Sequence, residues 1–156
     1  MNKLLIFCFA AIMSCTSTIA QKSEDMQNKA EIIMSESQGG TEQAGFVMIK
    51  NEKEFQEAIK SMQGISLVEV GNEPAIKFPA FPIDKKVILY NQGRFNSGDH
   101  TIKEIKSISV KDNVLYVEVP KYDSGGMEIQ VLSNPWFIFT VPSNYQFNSV
   151  QLKYSK

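Results

Sequence analysis

The chain consists largely of short apolar segments separated by polar turns, and most of these segments have the alternation or the β-branched and aromatic content of strands. From residue 65 onward the pattern is typical of β-strands. The exception is the stretch with Pro74, Pro79 and Pro82, which predicts an extended or irregular connection between strands. The predicted strands cover residues 30–35, 45–50, 67–70, 85–90, 114–119, 136–141 and 148–154, with a further strand through Ile102, Ile108 and Val110.

Two of these segments have the clearest patterns. Residues 85–90 form a near-continuous apolar run, which is typical of a buried strand. Residues 111–113 (K-D-N) separate two alternating segments and predict a hairpin turn. Ile102 and Ile105 are three positions apart, so in a regular strand their side chains would point to opposite faces of the sheet. The sequence therefore also predicts a bulge between them.

A single segment has helical periodicity. Asn51 can cap the free N–H groups of a first turn, and Glu54, three residues later, can reach back toward the start. Phe55, Ile59 and Met62 follow at three- and four-residue spacing on one face. The sequence therefore predicts one amphipathic helix over residues 51–63, packed against a sheet.

The N-terminus has the features of an export sequence. Lys3 supplies a positive charge, residues 4–13 are all apolar, and residues 14–18 are small or polar apart from Cys15. The apolar run is far shorter than the ~20 residues that a membrane-spanning helix needs. We therefore expect a secretory signal peptide over residues 1–20 and an envelope or extracellular destination.

Two cleavage sites are possible. Residues 12–15 (I-M-S-C) resemble a bacterial lipobox, in which cleavage precedes Cys15 and this cysteine is acylated. Cleavage after Ala20 would instead leave a mature chain that begins at Gln21 and contains no cysteine. We favour lipidation at Cys15, because the apolar run ends directly at that residue. Residues 21–29 are polar and predict a flexible tether, followed by a single domain over residues 30–156.

Composition narrows the function classes. The chain has 16 basic and 17 acidic residues and a formal net charge of −1, so it lacks the broad basic surface that nucleic-acid binding requires. Its two cysteines, Cys8 and Cys15, both lie in the leader, so the domain has no thiols for a disulfide. We expect no nucleic-acid partner and no cofactor.

Catalytic and metal sites have weak support. Residues 123–126 (D-S-G-G) match the surroundings of a serine-protease nucleophile, and His100 is the one histidine that could serve Ser124 as a base. The same residues are ordinary turn formers, and the domain is too short for two protease barrels. Asp99 and Asp123 could contribute to a carboxylate metal site, but no spacing motif supports one. We expect neither catalysis nor a resident metal.

Three turn-rich segments adjoin predicted strands and are candidates for protein recognition. Two interpretations of Trp136, which lies in the third segment, remain open: an exposed anchor for a partner, or a core residue. The candidate contact residues are Asn96, Ser97, Gly98, Asp99 and His100 in the first segment, Gly125 and Gly126 in the second, and Pro135 and Trp136 in the third.

At these residues the chain resembles the C-terminal domain of the PrcB family, named for a lipoprotein subunit of a protease complex. The similar segments are the apolar strand at residues 87–90, Gly93, the N-S-G sequence at residues 96–98, Gly126 and the closing residues 131–137. The part from residues 39–40 through the predicted helix is also similar. The resemblance implies an envelope accessory protein without catalysis of its own, associated with a protease.

The chain departs from the PrcB pattern at two positions. Asp99 stands where a second glycine is usual, and His100 stands where tyrosine is usual. If the family's glycine uses a positive φ, Asp99 tolerates that conformation better than most residues do. We therefore expect the backbone conformation of the turn to be the same as in the family, while the side chains that it exposes differ.

A second resemblance rests on loop order alone. Cysteine-protease inhibitors of the chagasin type present three loops from a β-sandwich, and N-S-G (96–98), S-G-G (124–126) and N-P-W (134–136) occur here in a similar order. This resemblance implies that the three segments lie side by side on one edge.

Together these features predict a mainly β (α+β) fold: a small antiparallel β-sandwich or barrel-like domain with one N-terminal amphipathic helix. The predicted function is that of a non-catalytic exported binding protein. We expect it to be lipid-anchored in the bacterial envelope and to contact a protein partner, in particular an envelope protease. The alternatives are a chagasin-like inhibitor and, less favoured, a small hydrolase.

Overall fold

A computed structural model describes residues 30–63, 78–122 and 131–155. These residues form seven strands and one helix. The elements are β1 (Glu31–Glu36), β2 (Gly45–Ile49), α1 (Glu52–Met62), β3 (Lys85–Asn91), β4 (Ser107–Lys111), β5 (Val114–Pro120), β6 (Trp136–Pro142) and β7 (Ser149–Ser155). The mainly β fold is as predicted, while the predicted strand at 67–70 lies outside the described residues.

The strands form two sheets. The larger sheet has the order β1-β6-β3-β2 and is antiparallel throughout, and the smaller has the order β4-β5-β7. The two sheets do not close into a barrel within the described residues, so the sandwich is the correct one of the two predicted forms.

The predicted antiparallel arrangement holds for four of the five strand pairs among the described residues, and the exception is β5 and β7, which run parallel. The chain leaves the larger sheet after β6 and crosses to the smaller one before β7 begins. At that point the Asn148 N–H donates to the Asn113 carbonyl at 2.8 Å, which places the start of β7 beside the start of β5. A strand that enters at the same end as its neighbour must run in the same direction.

Three layers pack on one another: the helix, the larger sheet and the smaller sheet. Phe55 and Ile59 of the helix pack with Val87, Leu89 and other residues on one face of the larger sheet. The opposite face meets the smaller sheet in a second apolar cluster. That cluster includes Ile88, Phe137 and Phe139 from the larger sheet and Leu115, Val117, Val119 and Val150 from the smaller one. Strands β3 and β6 are therefore covered on both faces, which explains their continuous apolar sequences.

The helix begins as its sequence predicts. The Glu54 N–H donates to Asn51 Oδ1 at 3.0 Å, and Glu54 Oε2 accepts from the Lys50 N–H at 2.9 Å. Two backbone donors at the start of the helix are thus satisfied by side chains. Phe55 and Ile59 are fully buried, so the predicted apolar face does pack against a sheet.

The β4–β5 hairpin also forms as predicted. Its two loop residues, Asp112 and Asn113, have φ values of 53° and 61°, the left-handed conformation that tight hairpin turns require. Ile102, in contrast, lies in an irregular segment and not in a strand, although it is buried. The predicted bulge between Ile102 and Ile105 is therefore wrong; a register shift occurs instead in β1, between Ile32 and Met34.

Candidate functional site

The candidate site is built around the irregular segment of residues 93–104, which follows the end of β3. Gly93 has a φ of 86° and begins the segment. Phe95 then forms an isolated antiparallel bridge with Ser133, with N–H to carbonyl distances of 2.8 and 3.0 Å. This bridge ties the segment to the chain that leads into β6.

Three stacked rings, those of Phe95, His100 and Tyr122, link this segment to the end of β5. The His100 ring lies 3.8 Å from the Phe95 ring and 4.4 Å from the Tyr122 ring, measured between centroids. His100 Nε2 lies 2.9 Å from the Ser97 carbonyl, so this nitrogen carries the proton and donates. His100 is therefore a structural link within the segment.

Gly98 allows Tyr122 to approach closely. Its φ is 84°, and a Cβ added to it would lie 2.6 Å from the Tyr122 hydroxyl oxygen. The Asp99 N–H donates to the same hydroxyl at 3.3 Å. Asp99 itself does not have a positive φ, so the left-handed position is Gly98 and not the residue that departs from the PrcB pattern.

The Asp99 side chain fixes the backbone that follows it. Asp99 Oδ1 accepts hydrogen bonds from the Thr101 N–H, at 3.0 Å, and from the Thr101 hydroxyl. These two bonds hold the pKa of Asp99 below its usual value, because they stabilise the ionised carboxylate. Asp99 is thus a carboxylate near neutral pH.

Two clefts flank this segment. The larger has a volume of about 600 Å³ and the smaller about 250 Å³. Asp99 and Tyr122 line both clefts and form the wall between them. We call the larger the Gln92 cleft and the smaller the Val131 cleft. The Gln92 cleft is lined by Gln92, Asp99, His100, Thr101, Ile102, Lys103, Glu104, Pro120, Lys121, Tyr122 and Tyr154.

Gln92 has an incomplete set of hydrogen bonds. The residue is only 9% exposed, and its Nε2 donates to the His100 carbonyl at 2.9 Å. Its Oε1 is buried and has no hydrogen-bond partner among the described residues. A buried acceptor of this kind costs stability unless a donor reaches it.

Exposed apolar residues lie next to the Val131 cleft. Val131 and Leu132 are consecutive and are 49% and 52% exposed. The Gln38 side chain donates to the Leu132 carbonyl at 2.8 Å and ties this short segment to the end of β1. We call Gly98, Asp99, Tyr122, Val131 and Leu132 the contact surface.

Trp136 is not part of that surface. It is fully buried, and its indole N–H donates to the Gln38 carbonyl at 2.7 Å. Pro135 is buried as well. Inclusion of these two residues among the contact residues is therefore wrong, because β6 is covered on both faces and its first residue packs beneath the helix layer.

The structure brings together the first candidate segment but tests only part of the other predictions. Gly98, Asp99 and His100 line the clefts, whereas Asn96 and Ser97 precede them in the same segment and line neither cleft. Residues 123–130 lie outside the described residues, and with them Gly125, Gly126, the Ser124–His100 pair and the Asp99–Asp123 site. The chagasin-like arrangement loses Trp136 as an exposed third contact.

Sequence patterns did not identify Gln92, Tyr122, Val131 or Leu132. Tyr122 lies between the end of β5 and the turn-forming residues 123–126, and its contact with Gly98 spans 24 positions. Among the described residues, no cluster of three or more His, Cys, Asp or Glu side chains is placed to hold a metal ion. No helix in the same part of the chain has the length and apolarity to cross a membrane.

Comparison with protein-family models, with curated proteins and with solved structures gave no significant match. The resemblances to PrcB and to chagasin therefore stay predictions from the motifs.

Proposed function

We propose that this protein is a non-catalytic exported binding protein whose contact surface engages a protein partner. The observation that carries the proposal is the placement of Val131 and Leu132, both about half exposed, beside a cleft whose wall is the braced Gly98–Tyr122 contact. Exposed apolar residues that lie side by side are a known mark of protein-interaction sites.

The contact surface is ordered before a partner arrives. The Phe95–Ser133 bridge, the stack around His100 and the hydrogen bonds of Asp99 all restrain the backbone that forms it. A restrained loop loses little conformational entropy on binding, so more of the contact energy appears as affinity. A recess of about 250 Å³ can accept a side chain of the partner.

The position of the N-terminus is compatible with a lipid anchor at Cys15. Strand β1 begins at Glu31, where Lys85 Nζ binds the Glu31 carboxylate at 2.7 Å, and it ends beside Ser37 and Gln38 at the Val131 cleft. At about 3.3 Å per residue, the six-residue strand separates its two ends by roughly 17 Å. A tether of residues 21–29 would therefore attach at the end away from the contact surface and leave that surface accessible.

The resemblance to the PrcB family supplies the kind of partner. In this proposal the domain is held at the bacterial envelope and contacts a protease there as an accessory subunit. The charge of the chain adds nothing to this choice, since its 16 basic and 17 acidic residues nearly cancel. We expect the partner to bind mainly through apolar and hydrogen-bonding contacts, with Asp99 as the one ionised side chain of the contact surface.

Co-purification tests this proposal. A tagged full-length chain is purified from membranes of the native host in three forms: wild type, Val131→Ser/Leu132→Ser, and Ile83→Ser. Ile83 is a matched control, since it is an apolar residue 95% exposed that precedes the opposite end of β3. We expect a protease to copurify with the wild type and the control but not with the double variant. Equal recovery with all three forms would contradict the proposal.

A further inference from the structure

The Val131 cleft has the size of a recess for a single side chain. Its volume of about 250 Å³ lies below the ~300–1,000 Å³ that is usual for pockets that hold a whole small ligand. Tyr122 and Val131 supply apolar lining, and Leu132 is the exposed neighbour of Val131. A protein segment that packs on these two aliphatic residues can therefore place one of its side chains in the recess.

Asp99 alone carries a charge among the described residues that line this cleft. Its Oδ1 accepts both hydrogen bonds from Thr101, whereas its Oδ2 accepts none from the described residues. The hydrogen bonds from Thr101 also lower the pKa of Asp99, so the carboxylate is ionised near neutral pH. The cleft thus presents one negative group that is held in place and has an oxygen available to a partner.

The other polar groups of the lining are mainly acceptors too. The Gln38 side chain already donates through Nε2 to the Leu132 carbonyl, which leaves its amide oxygen as an acceptor. The Ser37 hydroxyl can accept as well as donate. A side chain that enters the recess therefore gains most if its polar end is a donor with a positive charge.

The charges around the cleft do not cancel that of Asp99. Lys103 and Lys121 line the Gln92 cleft, on the other side of the wall, and among the described residues no ammonium group lies within 4.0 Å of the Asp99 carboxylate. The exposed Glu36 directly precedes the Ser37 and Gln38 lining. Residues 123–130, which join Tyr122 to Val131 along the chain, include two acidic residues and no basic one. Acidic residues therefore outnumber basic ones on this side of the wall.

We propose that the Val131 cleft binds a lysine or arginine side chain of the protein partner. The methylene stem packs on Tyr122 and Val131, and the cationic end binds Asp99 Oδ2. Lysine and arginine suit the recess because they combine a long apolar stem with a charged donor. This inference rests on the proposed function and adds the chemistry by which the contact surface recognises its partner.

Short peptides test the inference without knowledge of the partner. The probes are acetyl-Gly-X-Leu amides in which X is lysine, arginine, norleucine or glutamate, and they are titrated into the exported chain, residues 21–156, and followed by NMR. Norleucine has the stem of lysine without its ammonium group. We expect the lysine and arginine peptides to shift the backbone amides of Gly98 and Ser133, which line this cleft. They should bind at least about threefold more tightly than the norleucine peptide, as is typical of a partly exposed ion pair.

Three variants locate the charge that is recognised. Asp99→Asn keeps an acceptor oxygen but not the charge, so it should bind the lysine and norleucine peptides equally. Asp99→Lys should prefer the glutamate peptide. Glu104→Gln is the matched control, because it changes the net charge by the same amount as Asp99→Asn but lies at the Gln92 cleft, and it should keep the preference for lysine. Asp99 is exposed, so its variants should fold, and the comparison of peptides on the wild type depends on no variant.

Each outcome decides the inference. Equal binding of the lysine and norleucine peptides to the wild type, tighter binding of the glutamate peptide, or no saturable shift with any peptide would overturn it. A preference for lysine that persists in Asp99→Asn, or that is lost equally in Glu104→Gln, would overturn it as well.

Co-purification from native membranes separates this inference from the proposed function. A protease that is lost with Val131→Ser/Leu132→Ser but fully retained with Asp99→Asn would refute the basic side chain and leave the contact surface supported. A preference for the lysine peptide without recovery of any protease would support the recognition of a basic side chain and count against the protease partner.

Discussion

Gly98 lies so close to the ring of Tyr122 that a Cβ at this position would be 2.6 Å from the phenol oxygen and 2.7 Å from the carbon that bears it. We predict that Gly98→Ala lowers the free energy of unfolding by about 2–5 kcal/mol. Roughly 1–2 kcal/mol comes from the left-handed backbone and about 1–3 kcal/mol from overpacking against Tyr122. Urea denaturation followed by circular dichroism measures this change.

The control for this prediction is Gly45→Ala. Gly45 has no atom within 4 Å of an added Cβ, and its φ is outside the left-handed region. We expect its unfolding free energy to change by less than about 1 kcal/mol. Adding Tyr122→Ala to Gly98→Ala removes the clash, so the double variant should lose less stability than the two single losses combined. Simple additivity of the two losses would contradict the described contact.

Trp136 should behave as a core residue in solution. Trp136→Ala is expected to cost about 3–5 kcal/mol, since the fully buried ring leaves a cavity. That is a large part of the stability of a small domain, so a loss of partner binding in this variant would reflect unfolding. The emission of this single tryptophan should resist quenching by iodide in the folded protein and become sensitive to it in urea. Strong quenching in the folded state would show that the ring is exposed.

Asp99 should stabilise the folded state at neutral pH and not in acid. Its pKa in the folded protein is lowered from 3.8 by the two hydrogen bonds from Thr101. The stabilisation is therefore complete above the unfolded pKa and disappears as pH falls through the lower folded value. Because the side chain is exposed, we expect Asp99→Ala to lose less than about 1 kcal/mol at pH 7.

The measurement is urea denaturation of the wild type and Asp99→Ala at about pH 7 and about pH 2.5. The difference between the two proteins should shrink in acid. Asp99→Asn keeps an acceptor without the charge, so it should fall between them at pH 7. A difference that is equal at both pH values would show that the charge of Asp99 contributes nothing.

The N-terminal prediction is tested by mass spectrometry of the mature protein from native membranes. We expect an acylated Cys15 as the first residue, because the apolar run of the leader ends at this cysteine. Cys15→Ser should then move the protein from the membrane to the soluble fraction. An unmodified chain that starts at Gln21 would refute the lipid anchor, but it would not contradict the proposed contact surface.

The elements that the sequence predicted well are those that depend on neighbouring residues. Asn51 and Glu54 set the start of the helix through contacts within four positions, and Asp112 and Asn113 set the hairpin turn. The apolar run at residues 85–90 also predicted burial correctly, since β3 is covered on two faces. These features need no knowledge of the rest of the fold.

The errors concern contacts between distant parts of the chain. The parallel pairing of β5 with β7 depends on where the chain re-enters the smaller sheet, which alternation along β7 does not encode. Trp136 looked equally suited to a loop and to a core because its environment is set by Gln38, 98 positions away. Ile102 is buried without a strand, so its apolar character alone was misleading. The candidate site combines several such distant contacts, such as those of Tyr122 with Gly98 and of Gln92 with Pro135. Sequence patterns therefore did not identify Tyr122 and Gln92 as site residues.

The most direct test of the proposed protein contact is site-specific photocrosslinking in living cells of the native host. A photoreactive residue replaces Leu132 in one strain and Ile83, the exposed control at the other end of the larger sheet, in a second. The account predicts that the crosslinker at position 132, but not at position 83, captures an envelope protease identified by mass spectrometry. A failure to capture any protein at position 132, or equal capture at both positions, would contradict the account.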